Sequence, residues 1–309
     1  MYIGIDLGGT NIAVGLVDED GKILYKSSCE TKCERGTEFV IKDIIKLIEE
    51  VIKKSKHNEK DIKSIGIGIP GISNEEGVVI RCINLKWRRV SLRKPLEERF
   101  RVPIFIENDA RVAGLAEYAI GALKGYENSL LLTLGTGIGS GIIINGKMYG
   151  GAQGIGSEIG HMVVGENFYT CNCGANGCLE TFASSTALIK YVQRCLDDGV
   201  DSKYLNEFKN NLNAEVILGG INKNDEVCIR AYERFIKYLV IGIRNIINIL
   251  NPEVIAFGGG ISNMGEKLLE DIERGIEKNY NKDLPMPKLI LAKMKNDAGI
   301  VGAALMGRF

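Results

Sequence analysis

Three cysteines and a histidine stand close enough along the chain to bind one metal ion. Cys171, Cys173 and Cys178 lie within eight residues, and His161 lies ten positions before the first of them. Three thiolates and one imidazole complete a tetrahedral shell for zinc, and a shell of four protein ligands leaves no open position for catalysis. The spacing predicts a structural zinc site in a loop at about 161–178. The alternative is a surface loop that carries cysteines.

Two glycine turns could hold phosphate groups. Gly8-Gly9-Thr10 follows one apolar run, and Gly135-Thr136-Gly137 follows another, 127 positions later. Backbone N–H groups and a threonine hydroxyl in such turns can bind phosphate oxygens. Neither turn fits the phosphate-loop motif, so each alone favours a simple hairpin. Because the two turns match, and Gly258-Gly259-Gly260 forms a further junction, together they favour a bound nucleotide.

Carboxylate and amide side chains form the remaining candidates for chemistry. Asn108 and Asp109 stand where a predicted strand ends and a helix begins, and an isolated pair of this kind is most simply a helix cap. Glu158 lies three residues before His161, and Glu180 lies two residues after Cys178. Acids beside a metal cluster are held rigidly, as a polyhydroxylated ligand requires. For either acid alone, a solvent-exposed position is the more expected interpretation.

The elements that would position these residues alternate between strands and helices. Glycine is enriched, at 38 of 309 residues, and its clusters mark tight turns between apolar strands. The hydrophobic periodicity predicts a hairpin over Met1–Leu24, a helix near residues 36–54, strands at Ser64–Ile69 and Val102–Glu107, a helix from Asn108 to about Gly121, a long helix over Asp225–Leu250, a strand at Glu253–Phe257 and a helix from about Asn263.

The strand–turn–strand pattern of the N-terminus recurs around residues 130–147. A unit repeated at this scale indicates two related lobes, each presenting a turn to a shared cleft. The predicted class is therefore α/β in two lobes.

Composition excludes several classes of protein. The chain has 39 basic and 39 acidic residues, so its net charge of zero gives no overall signal for nucleic acid or an anionic membrane. Its apolar runs are far shorter than the roughly 20 residues of a spanning helix, and the N-terminus has no pattern of an export signal. Eight cysteines in 309 residues are too sparse for a secreted disulfide scaffold. We expect a cytoplasmic protein.

Together these residues resemble the ROK family of bacterial sugar kinases and sugar-responsive repressors. The resemblance covers essentially the whole chain, and its most specific part is Glu158-Ile159-Gly160-His161 followed by the three cysteines and Glu180. It implies the two-lobed actin-like ATPase, or ribonuclease H-like, fold of the hexokinase–actin superfamily, with a zinc-binding loop. We expect a small lobe at residues 1–107 plus about 296–309, and a large lobe at 108–295.

The resemblance also implies a role for each matching residue. Asp109 would be the general base that takes the proton of a sugar 6-hydroxyl. Sugar hydroxyls would be bound by Asn108, Glu158, His161 and Glu180, with contributions from Gly71 and Asn84. The ATP phosphates would be held by Gly8, Gly9, Thr10, Asn11, Gly135, Thr136 and Gly137, with Mg²⁺ near Asp6 and the nucleoside beside Gly258, Gly259 and Gly260.

The implied activity is an ATP-dependent hexose kinase, most simply for glucose, that works as a homodimer and binds neither nucleic acid nor membrane. An N-acetylmannosamine, N-acetylglucosamine or mannose kinase is the alternative within the class. A sugar-responsive regulator is less expected, because such repressors carry an additional N-terminal DNA-reading domain and the Asp6 turn begins six residues from the start. Two residues depart from the family pattern: Ser157 stands where glycine is usual, and Arg111 where a small or amide residue is frequent.

Overall fold

A computed structural model describes residues 1–208, 211–278 and 283–309. The chain divides into two units by internal contacts. Unit 1 contains Met1–Leu131, Gly141–Ser157 and Ala292–Phe309, and unit 2 contains Leu132–Ser140 and Glu158–Leu291. The lobes expected from the sequence have other boundaries, and those boundaries stay a prediction.

The first half of the chain alternates strands and helices. Its elements are β1 (Tyr2–Leu7), β2 (Asn11–Val17), β3 (Ile23–Glu30), α1 (Thr37–Lys54), β4 (Ser64–Ile69), β5 (Ile72–Ser73), β6 (Val78–Cys82), β7 (Trp87–Ser91), α2 (Arg93–Phe100), β8 (Ile104–Asn108), α3 (Asp109–Ala119), β9 (Ser129–Leu134), β10 (Ile138–Ile144) and β11 (Lys147–Met148).

The second half is mostly helical. Its elements are α4 (Glu180–Ala183), α5 (Ser185–Asp197), α6 (Lys203–Asn206), α7 (Ala214–Ile221), α8 (Glu226–Leu250), β12 (Val254–Gly258), α9 (Glu266–Glu277), β13 (Lys288–Leu291) and α10 (Ala298–Leu305). The long helix α8 buries an apolar face that includes Phe235, Leu239 and Ile243, as its periodicity predicts.

The first sheet has the strand order β3-β2-β1-β4-β8. Strands β1, β2 and β3 pair antiparallel, whereas β4 pairs parallel to both β1 and β8. Isoleucine alternates with glycine along Ile3-Gly4-Ile5 and Ile65-Gly66-Ile67, so all four isoleucines point to one face of the sheet and are fully buried. This face packs on the apolar side of α1, including Ile44 and Ile48.

The second sheet, within the described residues, has the order β11-β10-β9-β12-β13. This order matches the first sheet strand by strand, and β10–β11 and β12–β13 repeat its antiparallel and parallel pairings. The repeat predicted from the two glycine turns is therefore confirmed. A separate small sheet of β5, β6 and β7 was not predicted.

Most predicted elements are confirmed within a few residues, and one helix begins slightly later than expected. The sequence predicts a helix from about Asn263, whereas the structure has a short 3₁₀ helix at Gly260–Met264 and begins α9 at Glu266. Gly265, with φ of 69°, lies between them. This positive φ ends the tight turn, and the regular helix starts only after it.

Charge is distributed unevenly in unit 1. The hairpin of β6 and β7 exposes Arg81, Lys86, Arg88 and Arg89, and the pairing register sets Arg81 directly opposite Arg88. No acidic residue occurs between Glu76 and Glu97 in the sequence. This hairpin is therefore a basic surface in a chain whose overall net charge is zero. Since overall charge was the argument against nucleic-acid binding, the absence of such binding stays a prediction.

None of the helices that the structure describes combines the length and the apolar character needed to cross a bilayer. The expected cytoplasmic location stays a prediction.

Helix α10 lies in backbone contact with the first sheet. A Cβ atom added to Gly66 would be 1.8 Å from the carbonyl oxygen of Ala303, and one added to Gly4 would be 1.8 Å from that of Ile300. No side chain can occupy such a position without moving the helix. The lack of side chains at Gly4 and Gly66 therefore allows α10 to pack directly against β1 and β4.

We predict that Gly66→Ala destabilises the protein by about 1–3 kcal/mol or more, because overpacking against backbone forces the helix to shift. Gly68→Ala is the matched control on the same strand, since its Cβ would make ordinary contacts of 3.5 Å or longer. Urea unfolding followed by circular dichroism measures both. Equal midpoints for the two variants would contradict the close approach of α10.

Candidate functional site

A strand-to-helix junction positions the candidate base Asp109. Asn108 ends β8 and caps α3, because its Oδ1 accepts hydrogen bonds from the backbone N–H groups of Ala110 and Arg111 at 3.0 and 3.2 Å. Asp109 is the first residue of α3, where the helix dipole favours negative charge. A Cβ on Gly68 of the neighbouring strand β4 would be 3.5 Å from the Asp109 Cα. The cap therefore fixes the backbone that carries the carboxylate.

The first glycine turn connects β1 to β2 and is held by unit 1. The backbone N–H of Gly8 donates to the carbonyl of Asn11 at 2.9 Å, and the hydroxyl of Thr31 donates to the carbonyl of Gly8 at 2.7 Å. A Cβ on Gly9 would be 3.0 Å from the Asn84 Cβ. The structure therefore brings Asn84, in the loop between β6 and β7, against this turn.

Two further residues of unit 1 lie at strand ends. Asp6, near the end of β1, lies close to α10, since a Cβ on Gly299 would be 2.8 Å from its Oδ2. Burial raises the pKa of the Asp6 carboxyl, and the charge of Lys26 opposes this shift. Carboxylate oxygens are ligands that Mg²⁺ prefers. Gly71 follows β4 and lies against β6, because its Cβ would be 2.5 Å from the carbonyl oxygen of Arg81.

The second glycine turn connects β9 to β10 and touches Glu180. The backbone N–H of Gly135 donates to the carbonyl of Gly137 at 3.0 Å, and the N–H of Ser185 donates to that of Gly135 at 2.8 Å. A Cβ on Gly137 would be 2.7 Å from Oε2 of Glu180, the first residue of α4. Glycine at 137 therefore allows the turn to approach this carboxylate.

The third glycine junction, Gly258–Gly260, follows β12. Gly259 has a φ of 83°, and its Cβ would be 2.5 Å from the carbonyl oxygen of Leu134, so the junction lies against the end of β9. Beside Gly260 is a cavity of about 300 Å³, at the lower end of the size range of small-molecule sites. It is lined by Glu215, Leu218, Gly219, Ile221, Asn222, Gly260, Asn263, Met264 and Lys267.

The four predicted metal ligands meet in unit 2. Their ligand atoms all lie within 4.8 Å of one another. The Sγ atoms of Cys173 and Cys178 are 3.5 Å apart, and His161 Nδ1 is 3.6 Å from the Sγ of Cys171. With Zn–S near 2.3 Å and Zn–N near 2.0 Å, a tetrahedral centre separates its ligand atoms by about 3.5–3.8 Å. The donor set and its spacing therefore fit zinc, which stays a prediction.

Two glycines with positive φ allow the loop to bring these thiols together. Gly174 has a φ of 100° and Gly177 a φ of 88°. The chain then returns in short antiparallel bridges that pair Thr170 with Asn176 and Val163 with Cys178. The chain therefore turns back on itself at these two glycines.

The electrostatics of the thiols differ within the cluster. Burial raises the pKa of the Cys171 and Cys178 thiols, whereas the hydrogen bond from the Ala175 backbone lowers the pKa of Cys173. Oε1 of Glu180 is 3.1 Å from the Sγ of Cys171 and 3.8 Å from His161 Nδ1. A bound cation would favour the thiolate form of all three cysteines.

Glu158 lies at the start of the 3₁₀ helix Ile159–His161. The backbone N–H of His161 donates to the Glu158 carbonyl at 3.0 Å, and a Cβ on Gly160 would be 2.2 Å from the carbonyl oxygen of Ile138. Ser157 has a φ of 65°, a conformation that favours glycine. Its hydroxyl donates to the carbonyl of Tyr149 at 2.6 Å.

The structure places the predicted site residues in two groups. Unit 1 holds Asp6, Gly8, Gly9, Thr10, Asn11, Gly71, Asn84, Asn108 and Asp109, whereas unit 2 holds Gly135, Thr136, Gly137, Glu158, His161, Cys171, Cys173, Cys178, Glu180, Gly258, Gly259 and Gly260. Within unit 2, Glu180 connects the second glycine turn to the metal cluster. Sequence reasoning missed the cavity residues of α7, since no motif marks that helix.

Three comparisons relate this chain to known proteins. A model of the ROK family matches residues 2–308. A glucokinase of Thermotoga maritima is 37% identical over 312 residues, which cover 98% of this chain and 95% of the relative. A xylose repressor of Caldicellulosiruptor bescii is 32% identical over 307 residues, which cover 98% of this chain and 77% of the repressor.

The fold is also similar to a solved structure, a ROK family glucokinase from Streptomyces griseus in complex with glucose and AMPPNP. The TM-score is 0.82 at 30% sequence identity, and the superposition covers 99% of each chain. The similarity therefore extends over almost the whole length of both chains.

Metal analysis should find about one zinc ion per chain, because four donors with suitable spacing meet at one point. Cys173→Ser should remove most of this zinc, whereas Cys195→Ser, outside the cluster, should retain it. Mass-spectrometric metal counting on the three purified proteins makes the comparison. A wild-type protein without zinc, or equal zinc in Cys173→Ser, would refute the site.

Proposed function

The chain belongs to the ROK family, and we propose that it is an ATP-dependent hexose kinase that phosphorylates the 6-hydroxyl of glucose. The observation that carries this proposal is the carboxylate of Asp109 at the first residue of α3, on a backbone fixed by the Asn108 cap. The glucokinase relatives support glucose as the substrate. A carboxylate held in this way could serve as the base that the reaction needs.

In the proposed reaction, Asp109 accepts the proton of the sugar 6-hydroxyl. The sugar oxygen forms a bond to the γ-phosphorus while the bond from that phosphorus to the β-phosphate oxygen breaks, so the products are a sugar 6-phosphate and ADP. Phosphoryl transfer depends mainly on positioning and on neutralising charge. General base catalysis contributes roughly 10²–10⁴-fold to the rate.

Sugar hydroxyls are proposed to bind to Asn108, Glu158, His161 and Glu180, with Gly71 and Asn84 contributing. Since Oδ1 of Asn108 caps α3, its Nδ2 is the group that would donate to the sugar. His161 turns Nδ1 toward the thiols, which leaves Nε2 for a hydroxyl. A metal bound at Nδ1 fixes the proton on Nε2 and makes that nitrogen a donor.

ATP is proposed to bind at the glycine turns and the cavity. Backbone N–H groups of Gly8–Asn11 and Gly135–Gly137 would hold the phosphates, and the cavity beside Gly260 would hold the nucleoside. Mg²⁺, when bound near Asp6, supplies charge neutralisation at the phosphate oxygens. The buried carboxyl of Asp6 fits such a cation, because a nearby positive charge favours its ionised form.

The zinc has a supporting role in this proposal. Its four protein ligands leave no open position, so it would stabilise the loop that carries His161 and precedes Glu180. The expected homodimer stays a prediction.

Two alternatives remain, one within the class of sugar kinases and one outside it. An N-acetylmannosamine, N-acetylglucosamine or mannose kinase would use the same base on another sugar. A sugar-responsive regulator is favoured by one observation, the xylose repressor among the relatives. A coupled assay of ATP turnover over glucose, mannose, both N-acetyl sugars and xylose distinguishes these alternatives, since a regulator would bind a sugar without turning over ATP.

We predict that Asp109→Asn lowers kcat for the preferred sugar by about 10²-fold or more, while sugar affinity stays within about tenfold. The amide keeps the size of the side chain but cannot accept the proton as a base. Asp198→Asn, an exposed acid on another helix end, is the control. Near-wild-type kcat in Asp109→Asn would mean that Asp109 only begins the helix.

We predict that Gly260→Leu raises the KM for ATP by about tenfold or more, because the added side chain enters the cavity. A Cβ at this position meets no described atom within 4 Å, so the fold should tolerate the change. The KM for sugar, measured on the same sample, should change less than about threefold. Equal changes in both constants would argue against a nucleoside in this cavity.

A further inference from the structure

Arg111 is a buried cation two residues after Asp109. Its side chain is 2% exposed, and its Nη2 lies 2.8 Å from Oε1 of Glu107 and donates to the carbonyl of Gly154 at 2.6 Å. Its Nε and Nη1 have no hydrogen-bond partner among the described atoms. Burying a guanidinium with donors unused is costly, and an apolar side chain of similar size is often as stable or more so. Stability alone therefore does not explain an arginine here.

The partner of Arg111 is the far end of a glycine-rich loop, residues 149–157. The loop is closed at its base, where the Ser157 hydroxyl donates to the Tyr149 carbonyl and the Gly156 N–H donates to the Gly150 carbonyl at 2.7 Å. Gly151 and Gly154 both have positive φ. Glycine gives such a segment many alternative conformations. A directional hydrogen bond at its far end would select one of them.

The loop is shaped to admit the guanidinium. A Cβ on Gly150 would be 2.4 Å from Nη1 of Arg111, so any side chain at position 150 would displace the arginine. Glu107 completes the arrangement, because its Oε1 also accepts the backbone N–H of Asn108 at 2.7 Å. One carboxylate thus contacts both the arginine and the residue that caps α3. The arginine, the loop and the start of α3 are parts of a single bonded network within unit 1.

We propose that Arg111 is a positioning residue for sugar binding. Arg111 lies in the first turn of α3, and its hydrogen bond to the Gly154 carbonyl fixes the conformation of the loop. Glu158 is the next residue after this loop. The proposal rests on the proposed function, in which Asp109 and Glu158 act on the sugar. Displacements of about 1 Å at such residues can cost large factors in activity.

The kinetic test compares Arg111→Met, Arg111→Gln and Arg111→Lys with the wild type. Met and Gln should raise the KM for the preferred sugar by about tenfold, with kcat and the KM for ATP changed less than about threefold. Lys keeps the charge but concentrates it on one ammonium group without the planar fork of the guanidinium, so it should restore part of the sugar affinity. If Met prevents folding, Gln and Lys provide the same comparison.

Glu117→Gln is the matched control on the same helix. Glu117 is also buried, and it accepts backbone N–H groups of Ala122, Lys293 and Met294. Its loss should lower the melting temperature without raising the KM for sugar. If Arg111→Met lowers the melting temperature but changes kcat and both KM values alike, the arginine is only structural and the proposal is wrong.

Hydrogen exchange tests the anchor without any activity. In Arg111→Met, amides of residues 150–157 should exchange about tenfold faster, whereas those of residues 171–178 should not change. Unchanged exchange and unchanged sugar KM would overturn the proposal. A wild type that turns over no sugar would refute the proposed function, while faster loop exchange would still show that Arg111 anchors the loop.

Discussion

Helix α10 approaches the first sheet and α3 at backbone contact distance, and the groups of unit 1 that could do chemistry depend on this approach. Its Gly302 lies so close to α3 that a Cβ there would be 1.9 Å from the Val112 carbonyl oxygen, and its Gly299 lies beside Asp6. The same helix therefore contacts both the strand that ends near Asp6 and the helix that begins at Asp109. Because the α10 residues in these contacts are glycines, no side chain of the helix separates it from its neighbours, and small changes in helix position would move both carboxylates.

Unit 2 depends on a different constraint, the convergence of four potential metal ligands in an irregular loop. Short loops with little secondary structure have few contacts to fix them, and a tetrahedral centre supplies four. Glu180 extends this constraint, since it contacts Cys171 on one side and lies against Gly137 on the other. A change at the metal cluster should therefore reach the second glycine turn through one carboxylate.

The sequence predicted what is encoded locally. Apolar periodicity placed β4 and α8 almost to the residue, and the thiols of the three cysteines lie together as their spacing predicted. Each of these signals lies within one short segment of the chain. The duplicated turn also predicted the repeated strand order of the two sheets.

What the sequence could not show are contacts between distant segments. The cavity beside Gly260 joins α7 to the 3₁₀ helix that follows β12, and no residue of α7 has a distinctive type or spacing. The hydrogen bond from Arg111 to Gly154 spans 43 residues and ends on a backbone carbonyl, which has no sequence signature. The basic hairpin of β6 and β7 was hidden by an overall charge of zero. Averages over the chain conceal such local features.

Ser157 and Arg111, the residues at which the resemblance implies departures from the family pattern, act on the same loop from opposite ends. Ser157 adopts a backbone conformation that costs an L-residue about 1 kcal/mol relative to glycine, and its hydroxyl offsets part of this cost by bonding to Tyr149. Arg111 holds the other end at Gly154. A glycine at 157 and an amide at 111 would leave the loop with fewer directional bonds and more conformations. In this chain, side-chain hydrogen bonds therefore restrict the conformations of a glycine-rich segment that would otherwise have many. Glu158 directly follows this segment, so its backbone position depends on that order.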